Sequence, residues 1–158
     1  MAVIPFSVPA NLSGYSDEHP SVGSKLAWKI HSLLLTTGRV PIVEVFNRQD
    51  WPGKKEEFFV GNFGAISNAL EAEYDLVLIG YVEPLSTAHG MTIYSKVIDV
   101  DGGITVFYGR IDANTVVDDI DPPMVAAFNK SNRRPDLIFS DAMIDTAAQC
   151  VVNGFIAN

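Results

Sequence analysis

One stretch, residues 75–112, limits the possible folds more than any other part of the chain. Asp75-Leu-Val-Leu-Ile-Gly-Tyr-Val-Glu83 is a nearly continuous apolar run. Gly90-Met-Thr-Ile-Tyr-Ser-Lys-Val-Ile-Asp99 alternates, and Gly103-Ile-Thr-Val-Phe-Tyr-Gly-Arg-Ile-Asp112 follows a tight turn. Period-two alternation bounded by turn residues marks strands, so this stretch predicts three consecutive strands in an up-and-down meander. The first is apolar on both faces, which places it where a parallel part of the sheet meets an antiparallel part.

Upstream, Ala2-Val-Ile-Pro-Phe6 is a short apolar run. Pro5 removes a ladder donor, so this strand must lie where one missing hydrogen bond is tolerated. Residues 7–23, rich in Pro, Ser, Asn and Gly, read as a loop that is long for a compact domain. Ser21 and Ser24 are both candidate caps for a helix over 25–37, with Leu26, Ile30, Leu33, Leu34 and Thr37 on one face and Gly38 ending it. A second strand, 40–46, is followed by an irregular segment, 47–61, in which 54–59 has the composition of a helical turn. Asn62 then caps a helix over 63–73 with Phe63, Ile66, Ala69 and Leu70 sharing a face.

Strands separated by helices imply parallel, right-handed crossovers. The predicted fold class is α/β (α+β): a mixed five-stranded sheet in the order β-α-β-α-β-β-β, flanked by helices. The reading is one domain, 1–158, with a core over 2–112, an acidic, proline-containing linker over 113–134, and a C-terminal helix over 135–157 that packs on the sheet. Pro135 and Asp136 suit that helix's start. Leu137, Ile144, Ala148, Val151 and Phe155 form one stripe on it, and Phe139, Met143 and Ala147 form another. One stripe covers the sheet and the other touches a different element. Cys150, the only cysteine, sits in an apolar helical setting where a thiol packs as a small hydrophobe. A lone cysteine rules out an intramolecular disulfide.

The net charge of −8 disfavours nucleic acid and anionic membranes, because a phosphate binder must supply cations to replace condensed counterions. No apolar run approaches the roughly 20 residues of a membrane-spanning helix. The first ten residues lack the basic start of a secretory leader.

Motifs for chemistry are weak throughout. The loop from Gly14 to Lys25 places glycines, serine and lysine before a helix, but in the order Gly-Ser-Lys, which does not ring a phosphate as Gly-Lys-Ser/Thr does. Asp99-Val-Asp-Gly-Gly103 resembles the start of a calcium loop, yet Arg110 stands where the twelfth-position glutamate belongs. A hairpin turn explains the same residues through the positive φ that Asp-Gly-Gly supplies. Asp112, Asp118, Asp119 and Asp121 fit either a divalent ion or a solvated acidic loop. His19, His31 and His89 share no metal-ligand spacing, and no serine lies in Gly-x-Ser-x-Gly. The reading is no catalytic residue, no cofactor and no metal. Aromatic side chains in irregular segments suit protein contacts better, and the candidate partner-binding residues are Tyr15, Arg48, Trp51, Phe58 and Phe59. For Phe58 and Phe59 the alternative is that they cap the core.

In order and spacing these pieces resemble a known pattern. Val3-Ile-Pro-Phe6 followed by Asn11-Leu-Ser-Gly14 is similar to the opening of TolB amino-terminal-like domains, and residues 69–112 resemble the strand segment of the same domains. Val43-Glu-Val-Phe-Asn-Arg-Gln-Asp50 resembles a stretch of the related curli-secretion CsgG, flagellar FlgO and LpoB lipoprotein group. The resemblance spans about residues 2–112. It implies a mixed sheet flanked by helices and a non-catalytic role in the bacterial envelope, periplasmic or outer-membrane-associated, with protein partners or further copies of the chain. The sequence departs from the pattern in having no lipidation cysteine ahead of the first strand and no propeller after the domain. Either a leader has been removed or the protein is cytosolic. The second functional reading is accordingly a cytosolic domain that senses a small molecule.

Overall fold

A computed structural model describes residues 1–9, 21–46, 55–61, 63–84, 90–114 and 141–157, with the backbone alone for 55–57, 84 and 114. The elements are β1 (Ala2–Val3), α1 (Val22–Thr37), β2 (Glu44–Val45), α2 (Lys55–Val60), α3 (Phe63–Glu71), β3 (Leu76–Pro84), β4 (Gly90–Asp99), β5 (Ile104–Asn114) and α4 (Asp141–Ile156). They form a five-stranded mixed sheet in the order β2-β1-β3-β4-β5. β1 pairs in parallel with both β2 and β3, whereas β3, β4 and β5 pair antiparallel. This is the predicted architecture, with β3 at the junction of its two halves.

β3 is the strand buried on both sides. Leu78 and Val82 enter a core under α1 and α4, while Val77, Ile79 and Tyr81 enter a second core under α2 and α3. The first core joins them to Leu26, Ala27, Ile30 and Leu34 of α1 and to Met143, Ile144, Ala147, Ala148, Val151 and Val152 of α4. The described residues of both predicted stripes of the last helix therefore pack into this core, Phe155 at its margin against Phe107 of β5. The second core is smaller and depends on Phe58, Ala65 and Ala69 from the helical side.

Phe6 locks β1 to its neighbours. Its N–H donates to the carbonyl of Gly23 at 3.2 Å, and its ring lies so close to β3 that a Cβ on Gly80 would stand 2.2 Å from it. A Cβ on Gly23 would meet the Phe6 carbonyl oxygen at 1.8 Å. At 23 the atoms met are backbone, which cannot move aside, and at 80 any side chain would have to displace the buried Phe6 ring. Ladder-like bonding also continues past the two paired residues of β1: Ile4 N–H donates to Leu78 at 2.9 Å and Ser7 N–H to Gly80 at 2.9 Å. Pro5 follows the residues of β1 that pair with both neighbours, so an interior strand accommodates it.

Several details differ from the sequence reading. Helix α1 starts at Val22, earlier than predicted, because Ser21 accepts from the N–H of Ser24, so residues 22 and 23 belong to the helix. Gly38 ends it in the left-handed conformation, as predicted. Thr37 is exposed and Leu33 only half-buried, because α1 turns a Gly23, Ala27, Ile30 and Leu34 side to the core. In α3, Phe63 and Leu70 are exposed and Ala65 and Ala69 are buried: small side chains let the helix lie close to β3, which turns the bulky ones outward. Cys150 is exposed, since α4 buries the 143/144, 147/148 and 151/152 pairs and position 150 falls just outside the arc they share. Strand β5 extends to Asn114, so 113 and 114 belong to the sheet and not to the acidic segment. Pro135, Asp136, Leu137 and Phe139 lie outside the described residues, as do His19, His89, Asp118, Asp119, Asp121 and most of the loops after β1 and β2. The β4–β5 turn is the predicted hairpin, with Gly103 at φ 63° and the N–H of Gly102 donating to Asp99 Oδ1. Among the described residues no helix is long and apolar enough to cross a membrane.

A phenol tethers β2 to the turn before β3. Tyr74 donates its hydroxyl to Glu44, and its ring meets Phe46 edge-on at 5.5 Å. Burial first, then the Glu44 carboxylate, push the phenol up to about 12. A group whose folded value is raised contributes stability that is complete below its unfolded value and is lost on passing the folded one. The tether therefore weakens between pH 10.0 and about 12. In a tyrosinate absorbance titration, the difference between wild type and Tyr74→Phe should show a phenol ionising near pH 12. Glu44→Gln should bring that ionisation down toward that of a free phenol.

Candidate aromatic binding face

Among the described residues, the helices leave one part of the sheet uncovered. On the α2/α3 side, both helices contact β3, and among the described residues the side chains of α2 reach on to β4 and β5. Alternation along the two strands sends Thr92, Tyr94 and Lys96 of β4 to that side, opposite Asp112, Arg110 and Tyr108 of β5. A bulge between Val97 and Ile98 sets this register and makes residues 107–114 a regular run against 90–97.

Phe58 of α2 is the keystone of the surface. It is buried, with its ring 6.4 Å from that of Tyr94 and 6.3 Å from that of Tyr108. Phe59 stands edge-on to Phe58 at 5.1 Å and to Tyr94 at 5.6 Å, and is half exposed. Tilted and edge-on pairs at these separations each add about 0.5–1.5 kcal/mol beyond simple burial. The Lys96 ammonium lies 4.6 Å from the centre of the Phe58 ring and donates to the Phe58 carbonyl, joining α2 to β4. Burial lowers the Lys96 pKa below the ordinary lysine value. The Arg110 guanidinium covers Tyr94 at 5.8 Å and pairs with Asp112 at 3.3 Å. The hydroxyl of Thr92 donates to Asp112 at 2.6 Å, which, more than the arginine, holds that carboxyl below the usual range. Val60 and Phe63, each 79% exposed, extend the apolar area past the end of α2.

The arrangement presents aromatic and apolar area together with two cations held against rings. Aromatic faces, two anchored cations and exposed apolar side chains on a rigid sheet suit a protein surface with aromatic or apolar anchors. Among the described residues no group of three His, Cys, Asp or Glu side chains could hold a metal ion.

The structure brings together Phe58 and Phe59 of the predicted site residues. Phe58 caps the core, as the alternative reading had it, whereas Phe59 is half exposed. Tyr15, Arg48 and Trp51 lie outside the described residues. Sequence reasoning passed over Tyr94, Lys96, Tyr108 and Arg110, although period-two counting already places each pair on one face of its strand. A second concavity, a groove of about 360 Å³ between α1 and α4, is lined by Trp28, Ser32 and Ile144. Its charges pair across it, Lys25 with Asp141 at 3.2 Å and Lys29 with Asp145 at 2.9 Å.

No family model and no curated protein sequence matches the chain. Solved structures do match. TolB from Acinetobacter baumannii superposes with a TM-score of 0.52 at 13% identity, over 98% of this chain and 26% of TolB. The chain has a TolB-like fold. It therefore corresponds to about a quarter of TolB. Lipoprotein GNA1162 from Neisseria meningitidis matches with a TM-score of 0.47 at 16% identity, over 99% of this chain and 95% of that protein. The LpoB C-terminal domain from Salmonella enterica matches with a TM-score of 0.43 at 12% identity, over 72% and 81%. At these identities the likeness concerns the fold.

Burial separates the roles of the two adjacent phenylalanines. Phe58→Ala should destabilise the protein by about 3 kcal/mol in urea unfolding, because it opens a cavity and removes the ring beneath Lys96. Phe59→Ala should cost less, about 1–2 kcal/mol, since half of the ring is already in water and its two edge-on ring contacts are what is lost.

Proposed function

We propose that the protein is a non-catalytic accessory module of the bacterial cell envelope and that it acts by holding a protein partner on the Phe58, Phe59, Tyr94 and Tyr108 face. The observation that carries this reading is the exposed aromatic surface itself. It is fixed from beneath by Phe58 and Lys96, so little conformational entropy remains to be lost on binding. The TolB-like fold and the TolB-like order of the opening motifs support the envelope assignment, although a fold alone does not assign a function. Tyr15, Arg48 and Trp51 belong to the same proposal as further contacts from the loops that follow β1 and β2.

A photocrosslinking residue placed at Phe59, with a control at the exposed Cys150 on the far side of the molecule, tests it in envelope extract. The proposal expects a discrete protein adduct from position 59 that is weakened about tenfold or more by Tyr108→Ala. No adduct, or the same adduct from both positions, would contradict it.

A further inference from the structure

The two edges of the sheet are unlike. β2 presents two residues, Glu44–Val45, shortly after Pro41, and so offers little to pair with. β5 is also an edge, pairing only with β4 among the described residues, but it runs for 11 residues with neither proline nor lysine. Edge strands are ordinarily blunted by prolines, lysines, bulges or shortness, because an open row of N–H and C=O groups recruits another strand. Here the bulge lies near the start of β5, opposite Val97 and Ile98, and residues 107–114 continue in unbroken register.

That regular half is self-complementary in charge. Arg110 and Asp112 lie two apart on one face, both with exposed side chains. In an antiparallel pair about a two-fold axis through Ile111, Arg110 of each copy falls opposite Asp112 of the other. Directly opposed residues in such a pair have Cβ atoms about 4.5–5.5 Å apart, within reach of an ion pair. The same register sets Ile111 against its own copy on the α1/α4 side, where it is half-buried, and sets Gly109 against Ala113, so small residues flank the axis on that side. The seven residues this uses, 108–114, are all within the unbulged run.

We infer that β5 is a self-association edge: two copies of the chain pair antiparallel through residues 108–114, with Arg110 and Asp112 exchanging partners across the axis, to give one continuous ten-stranded sheet. The aromatic faces of the two copies then lie on the same side of that sheet. This inference is independent of the partner proposed for that face.

Charge reversal tests it by sedimentation equilibrium on the whole chain. Wild type should show the mass of two chains at concentrations on the order of 100 μM. Arg110→Asp opposes two carboxylates and Asp112→Arg opposes two guanidinium groups, so each variant alone should self-associate about tenfold or more weakly. An equimolar mixture of the two should regain the dimer, since each strand then meets its opposite. Far-UV circular dichroism and melting establish that each variant is folded. Ile111→Cys in a Cys150→Ser background gives a second readout that leaves both charges in place, and oxidation should close a symmetric disulfide. A monomeric wild type at this concentration, variants that associate like wild type, or a 111 thiol that does not cross-link would each overturn the inference.

Discussion

Burial of β3 on both faces is the constraint on which the molecule depends. A strand whose residues are apolar in both directions must be covered from both sides, and the two cores that meet on it do so. Val77, Leu78 and Val82 are fully buried, so neither layer can be lifted without exposing one face of the same strand to water. The parallel half reaches β3 through β1 and the antiparallel half through β4. Removing its pairing on either side would divide the sheet.

The two layers are not equivalent. On one side α1 and α4 pack on each other as well as on the sheet, and Lys25–Asp141 and Lys29–Asp145 lie across their outer seam. Those pairs are largely in solvent, so they add little stability and mainly align the helices. On the other side α3 is short and approaches through Ala65 and Ala69, which among the described residues leaves β4 and β5 to α2. Lys96 and the rings around Phe58 hold α2 there. Sheet left open by the short helical layer is thus made rigid and aromatic, and its cations are held over rings, where their attraction to aromatic faces is used within the fold.

Much of this architecture was legible from local pattern. The bounds of β4 were read to the residue, because clean alternation ends in an Asp-Val-Asp-Gly-Gly turn. β1 was readable as a strand, but the place of Phe6 between Gly23 and Gly80 was not, since that contact joins three distant segments. A helical stripe identifies an apolar face without saying how closely the helix approaches. Phe63 and Leu70 were assigned inward on size, whereas the near approach to β3 needs alanine. Cys150 was misplaced for a related reason: α4 is sandwiched, so two adjacent stripes are buried and one apolar residue beside them faces water. The site was half legible. Phe58 and Phe59 stand out as aromatics in an irregular stretch, but their partners Tyr94 and Tyr108 become neighbours only through the β4–β5 register, which a bulge sets.

Residue-resolved amide hydrogen exchange tests the central claim most directly, because a strand covered on both faces should open only with the whole molecule. The amides of residues 77–82 should exchange at the rate set by global unfolding, with those of α2 opening at lower free energy. Exchange of 77–82 as fast as that of α2 would contradict the account, since β3 would then not be the shared wall of the two cores.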